Sequence, residues 1–350
     1  MAFNITLQEK TTIPYLENST EHYNEGDARL EHIASIIRVF SIVVYSVAFL
    51  LGTFGNGLVI YFTAFVMKRT VNVVWFLNLA IADFIFTFFL PLSIAYAGLN
   101  FYWPFGKFMC KLNSFIAFVN LYASVLQLTV ISIDRCISVV FPVWCQNHRT
   151  PRLASFVALV VWILALIFSV PYFIFRDIYV EEDVVVCFNN FHEDPYIANV
   201  RHRATVIFRF IFSFLIPFTV IIFCYSVILF RIQRNHMTTS SKPLKVILAV
   251  IITFFVCWVP YQVFSFLELY VISSESDQFA YVVHAATPFT SSLAFINSCV
   301  NPVLYVFIGR DFKNKFQISF QAIFERAFME ESGQTDLKSK SKSTSDSQLV

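Results

Sequence analysis

Seven times the chain returns to a stretch with few or no charges, at roughly 38–67, 72–99, 108–139, 153–175, 204–230, 244–271 and 279–308. A helix rises about 1.5 Å per residue and a bilayer's hydrocarbon core is about 30 Å thick, so each stretch is long enough for one spanning helix. The third is the clearest: Lys111 and Asp134 bracket twenty-two residues without a formal charge. The pattern predicts an all-α membrane protein, a seven-helix bundle. With 57% of residues apolar and only 14% charged, the composition argues against a soluble globular domain, and nothing in it points to nucleic acid.

Polar residues in the third segment are not scattered. Asn113, Asn120, Ser124 and Gln127 follow one another at intervals of seven, four and three, which puts them on one helical face. Such a stripe on a spanning helix faces protein or water rather than lipid. This helix is therefore expected at the centre of the bundle.

Charge placement predicts the topology. Basic residues follow the first segment (Lys68, Arg69), the third (Arg135, His148, Arg149, Arg152) and the fifth (Arg231, Arg234, Lys242, Lys245). Acids collect in even-numbered connections, at Glu181, Glu182, Asp183, Glu193, Asp194, Glu275 and Asp277. The positive-inside rule then sets the N-terminus outside and the C-terminus in the cytoplasm. Two glycosylation sequons, at Asn4 and Asn18, fall in the segment so placed outside. No basic stretch followed by an apolar core opens the chain, so no cleavable signal peptide is expected.

Four regions follow: an acidic extracellular tail at 1–37, the bundle at 38–309, an amphipathic membrane-surface helix at 310–328, and a polar cytoplasmic tail at 329–350. In the third of these, Phe312, Phe316, Phe320, Ile323 and Phe324 recur at helical spacing beside Arg310, Lys313, Lys315 and Arg326, a pattern suited to lipid contact.

Several residues stand out chemically. Cys110 and Cys187 both fall on the oxidising side and are expected to form a disulfide that pins the fourth connection over the bundle. Asp83 is the one acid deep within a predicted helix and needs partners. Asn120, Ser124, Asn297 and Asn301 are the available ones, as a cation site or as a hydrogen-bonded cluster without an ion; spacing alone does not choose. Arg209 reads equally as a snorkelling side chain or as an anion receptor in an outward cavity. Glu268 poses the same question with opposite sign. Prolines recur within predicted helices at 91, 171, 217, 260, 288 and 302, each removing a backbone hydrogen bond.

Together these residues resemble the rhodopsin-like G-protein-coupled receptors over residues 38 to 325. The matching motifs are Gly55-Asn56, Asn78-Leu79-Ala80-Ile81-Ala82-Asp83, Cys110, Asp134-Arg135-Cys136, Trp162, Pro217 and Tyr225, Cys257-Trp258-Val259-Pro260, and Asn301-Pro302-Val303-Leu304-Tyr305. Within that family the stretches DRCISVVFPVWCQNHRT, FRD…CFNNF and NSCVNPVLYVFIGRDF resemble the chemoattractant receptors, the group of formyl-peptide, chemerin and anaphylatoxin receptors.

The resemblance implies a non-enzymatic plasma-membrane receptor for an extracellular peptide or small protein, acting through an inhibitory-class heterotrimeric G protein. The ligand would enter a cavity between the third, fifth, sixth and seventh helices, touching Arg209, Phe118, Glu268 and Trp258. Arg209 matches an arginine that receives a ligand carboxylate. Phe118 stands where formyl-peptide receptors have an aspartate, which weighs against a formylated ligand. Asp83, Asn120, Ser124, Asn297 and Asn301 match a sodium pocket that favours the resting form. Asp134 would neutralise Arg135 at rest, with Trp258, Tyr225, Pro260, Asn301, Pro302 and Tyr305 in the switch. Ser339, Ser341, Ser343, Thr344, Ser345 and Ser347 are phosphorylation candidates for an arrestin-binding patch. Cys136 replaces the family's usual Tyr, and no cysteine follows residue 299 to carry a palmitoyl anchor. The alternative is a non-signalling decoy or scavenger receptor of the same fold.

Overall fold

A computed structural model describes residues 25–181, 184–234, 241–271 and 277–308, with side chains described from 32 onward except at 241–247, 277–282, 284–285 and 304–308. Seven helical rods run through these residues. The first is α1 (Glu25–Tyr61), extended by a π turn (Phe62–Val66); α2 (Val71–Gly98) and α3 (Gly106–Val140) follow. A short α4 (Pro142–His148) precedes α5 (Pro151–Ile174). The fifth rod is continuous, made of α6 (Pro195–Phe210), a π turn (Ile211–Leu215) and α7 (Ile216–Arg234). The last two are α8 (Ser241–Val271) and α9 (Asp277–Ile308). The chain is an all-α membrane protein, and six of the rods have the length and hydropathy of a membrane span over their described residues. The seventh, α9, packs between α1 and α8.

Local chemistry explains where the helices start. Thr70 accepts a hydrogen bond from the Val73 N–H and opens α2, while Thr150 caps Leu153 ahead of Pro151 and opens α5. Asp194 caps the Ile197 N–H at 3.0 Å, with Pro195 in the first helical position. Such caps each contribute about 1 kcal/mol. The Asp194 cap corrects the expected start of the fifth helix at 204: Arg201 and Arg203 ride on its outer extension and do not end it. Likewise α1 begins at Glu25, inside the region expected as tail. The sequons at Asn4 and Asn18, the amphipathic helix at 310–328 and the tail serines and threonine lie outside the described residues.

Pro217 lacks an N–H, so the carbonyl four residues back cannot receive its usual bond; the π turn ending at Leu215 immediately precedes it. The other five prolines sit within continuous helices.

α3 is the centre, as its polar stripe predicts. It packs on α2, α5 and α7, and Leu121, Tyr122 and Val125 on it are fully buried. Phe54 and Phe65 on α1 are 73% and 79% exposed, which places them on the lipid side.

The fourth connection folds as a β-hairpin that the sequence reading did not anticipate. β1 (Arg176–Glu181) pairs antiparallel with β2 (Val184–Asn189), with Ile178 opposite Cys187. The expected Cys110–Cys187 disulfide ties β2 to the outer end of α3. The Trp103 N–H also donates to the Val185 carbonyl at 2.8 Å. Lys107 on α3 grips Asp177 at 2.8 Å. Partial burial would raise the Asp177 carboxyl, but bonds from Lys107 and the Ile178 N–H outweigh it and hold it below its ordinary value.

Candidate functional site

A cavity lies among α3, α5, α6, α8 and α9 under the hairpin. Arg209 forms part of its wall. It is 5% exposed, so a snorkelling role is wrong: the side chain points into the bundle. Its Nη1 donates to the Tyr261 hydroxyl at 3.3 Å, and the guanidinium lies 4.9 Å from the Tyr261 ring centre and 5.8 Å from that of Phe118. Phe118 is held flat against Tyr172. Arg209 Nε is buried and finds no hydrogen-bond acceptor. A guanidinium packed among aromatic faces with an unmet donor has the chemistry to receive a planar anion such as a carboxylate.

Glu268 lines the same cavity, as do two residues that sequence reasoning did not single out, His202 and Arg176. His202 lies flat on Phe191. Arg176, at the start of β1, donates to the Cys187 carbonyl at 2.9 Å and to Asn189 Oδ1 at 2.8 Å. Burial pushes its guanidinium down to about 10, leaving it charged near neutral pH. The spacing of Arg209 seven residues after His202, two turns along one helix face, was a legible signal for the latter.

Trp258 does not line the cavity, contrary to its expected ligand contact. It lies beneath, buried, edge-on to the Tyr261 ring at 5.9 Å and against Phe254. Since 254, 258 and 261 share one face of α8, Tyr261 links the ligand cavity to the helix interior.

Deeper still, Asp83 is completely buried on α2. Asn120 Nδ2 donates to its Oδ1 at 2.9 Å and Asn301 Nδ2 to its Oδ2 at 2.8 Å, drawing α3 and α9 onto α2. Ser298, absent from the expected set, donates to Asn120 Oδ1 at 3.3 Å. Ser124 Oγ, Asn297 Oδ1 and Asn301 Oδ1 are buried and accept no hydrogen bond from the described residues. An acid with unmet oxygens on two neighbouring helices fits a hard monovalent cation such as sodium.

At the inner end the expected Asp134–Arg135 pair is present but long, and a second arginine holds the acid more closely. Asp134 gives both carboxylate oxygens to Arg149, which donates from Nε at 2.8 Å and Nη2 at 2.9 Å. Arg135 Nε stays 3.9 Å away. The Arg135 guanidinium instead donates to Asn72 Oδ1, which also receives Arg149 Nη2 at 2.8 Å. α4 makes this arrangement, because it ends at His148 and delivers Arg149 beside α3. The Tyr225 hydroxyl is buried nearby without a hydrogen-bond partner among the described residues. Pro260 and Pro302 lie inside α8 and α9, and the Tyr305 side chain is outside the described residues.

Seven membrane helices, an outward cavity capped by a disulfide-tied hairpin, a buried acid at mid-depth and an Asp-Arg pair at the inner end define a heptahelical receptor. The 7 transmembrane receptor (rhodopsin family) model matches residues 55–305, and the chain belongs to that family. It is therefore a multi-pass plasma-membrane receptor that answers an extracellular ligand and couples to a G protein, and it is not an enzyme.

Within the family, the chain is 44% identical to chemerin-like receptor 1 of Rattus norvegicus over 352 aligned residues, covering 94% of this chain and 93% of that receptor. The Homo sapiens chemerin-like receptor 1 is 43% identical over 320 residues, covering 87% and 84%. The C3a anaphylatoxin chemotactic receptor of Danio rerio is 43% identical over 323 residues, covering 91% and 87%.

Proposed function

We propose that this receptor recognises a chemoattractant peptide or small protein by a free C-terminal carboxylate, and signals through an inhibitory-class G protein. Arg209 carries this reading: a buried cation whose Nε donor is unmet among the described residues and which lines the cavity under the hairpin. A ligand carboxylate takes that donor and competes with the Tyr261 hydroxyl for the guanidinium. Tyr261 rests on Trp258, so the exchange biases α8, whose inner end moves outward to admit the G protein beside Arg135. This is a population shift driven by differential binding. The relatives named for chemerin and for the C3a anaphylatoxin support a protein or peptide ligand. The N-terminus lies outside, with Asn4 and Asn18 glycosylated, and the C-terminus inside. A sodium ion on Asp83, Asn120, Ser124, Asn297 and Asn301 favours the resting form.

The test is G-protein activation in cells displaying the receptor, using chemoattractant peptides with free and amidated C-termini beside Arg209→Ala. One charge-assisted hydrogen bond lost here should cost about 1.5–3 kcal/mol, a potency loss of roughly 10- to 150-fold. Equal potency of the two peptide forms, or an unaffected variant, removes the carboxylate clamp. Binding and internalisation without G-protein activation would establish a decoy receptor. Removal of residues 333–350, with Ser339, Ser341, Ser343, Thr344, Ser345 and Ser347, should abolish ligand-driven arrestin recruitment while leaving G-protein activation in place.

A further inference from the structure

A second, smaller cavity lies beside the first between α1, α2, α3 and α9, and the receptor mechanism makes no use of it. Its chemistry is cationic. Arg38 of α1 reaches it from within the apolar course of that helix. Among the described residues Arg38 has no hydrogen bond, ion pair or ring contact. Arg176 also lines it, and no Asp or Glu is among its described lining residues. The Tyr96 hydroxyl in the same wall is buried beside the Cys187 backbone yet forms no well-aligned hydrogen bond. Ser93 and Asn113 add further polar groups.

A lone arginine on a spanning helix is costly unless it meets water, an acid or a bound anion. Snorkelling accounts for the charge of Arg38 but leaves the buried Tyr96 hydroxyl unexplained. Two guanidiniums and an unmet hydroxyl around one cavity are the donors that bind a carboxylate. Arg176 and Thr287 line both cavities, so the two share a wall.

We propose that the cavity around Arg38, Arg176 and Tyr96 is a second anion subsite, taking an acidic group upstream in the same ligand whose terminal carboxylate engages Arg209. The proposal rests on the carboxylate-clamp reading for the shared ligand, while the subsite itself is tested independently of it.

The probe is glutarate, titrated against the purified full-length receptor at constant ionic strength set with chloride, with thermal unfolding as the readout. A bound anion raises the melting temperature by mass action. Wild-type receptor is expected to show saturable stabilisation with two contributions. Arg38→Ala should weaken one of them roughly tenfold, as the loss of a hydrogen-bonded charge predicts. Arg38→Lys should retain most of it, and Tyr96→Phe should weaken it less. Arg209→Ala should leave the Arg38-dependent part intact, and the double variant should lose both. Because Arg38 has no partner within the described protein, its variants should match wild type when unliganded. An Arg38→Ala receptor that titrates like wild type overturns the second subsite and leaves a snorkelling side chain. An Arg209→Ala receptor that titrates like wild type overturns the clamp alone. Absence of any saturable shift in wild type overturns both.

Discussion

Asp134 shows how much a motif leaves open at the scale of one residue. The Asp-Arg dipeptide was legible, and adjacency implied an ion pair between them; three-dimensional placement leaves that pair at 3.9 Å and gives the closer contacts to Arg149. The reason is geometric: consecutive helical side chains point about 100° apart, whereas Arg149 arrives from a separate element and meets both oxygens in a fork. Arg149→Ala should therefore free the Asp134 carboxylate to draw in Arg135, and ligand-independent nucleotide exchange on the G protein should fall several-fold. Asp134→Asn should raise it instead. Basal exchange unchanged in Arg149→Ala would show that Arg149 does not govern the pair. Arg209 is the opposite case, since its sequence position left two readings level and its burial decided between them.

Among the elements, helix starts were encoded locally and helix contacts were not. Thr70, Thr150-Pro151 and Asp194-Pro195 are capping signals readable along the chain; the expected start of the fifth helix was late because charge was read as a boundary before the cap was considered. Hairpin strands carry a legible signal too, the β-branched run Val184-Val185-Val186. Gly55 illustrates what stays hidden. A Cβ added there would stand 2.9 Å from Pro302 Cβ, so α1 and α9 meet at a contact only glycine permits. Beside it Asn56 Nδ2 spans to the Ser298 carbonyl at 2.8 Å. Gly55→Val should cost about 1–3 kcal/mol by overpacking, read as a lower melting temperature of the purified receptor. An unchanged melting temperature would mean the helices part there without cost.

For the whole molecule, the layer around Asp83 joins α2, α3 and α9 at mid-depth, between the ligand cavity and the inner end. A cation held there favours the packing that brings its oxygens together, so sodium should lower basal nucleotide exchange relative to potassium at equal ionic strength. Asp83→Asn should abolish the difference, because it removes the charge and keeps the shape. An equal sodium effect in the variant would place the ion elsewhere. Bilayer thickness and the cost of unpaired charge in lipid act on every segment separately, so the sequence alone determined seven spanning helices, the central role of α3, the disulfide and two of the buried acid's partners, Asn120 and Asn301. Which amides bond the buried acid, which arginine holds which acid most closely, and which cations face a common cavity depend on side chains from helices far apart in the chain. Those pairings are set by packing distances of a few ångströms, and only the tertiary structure decided them.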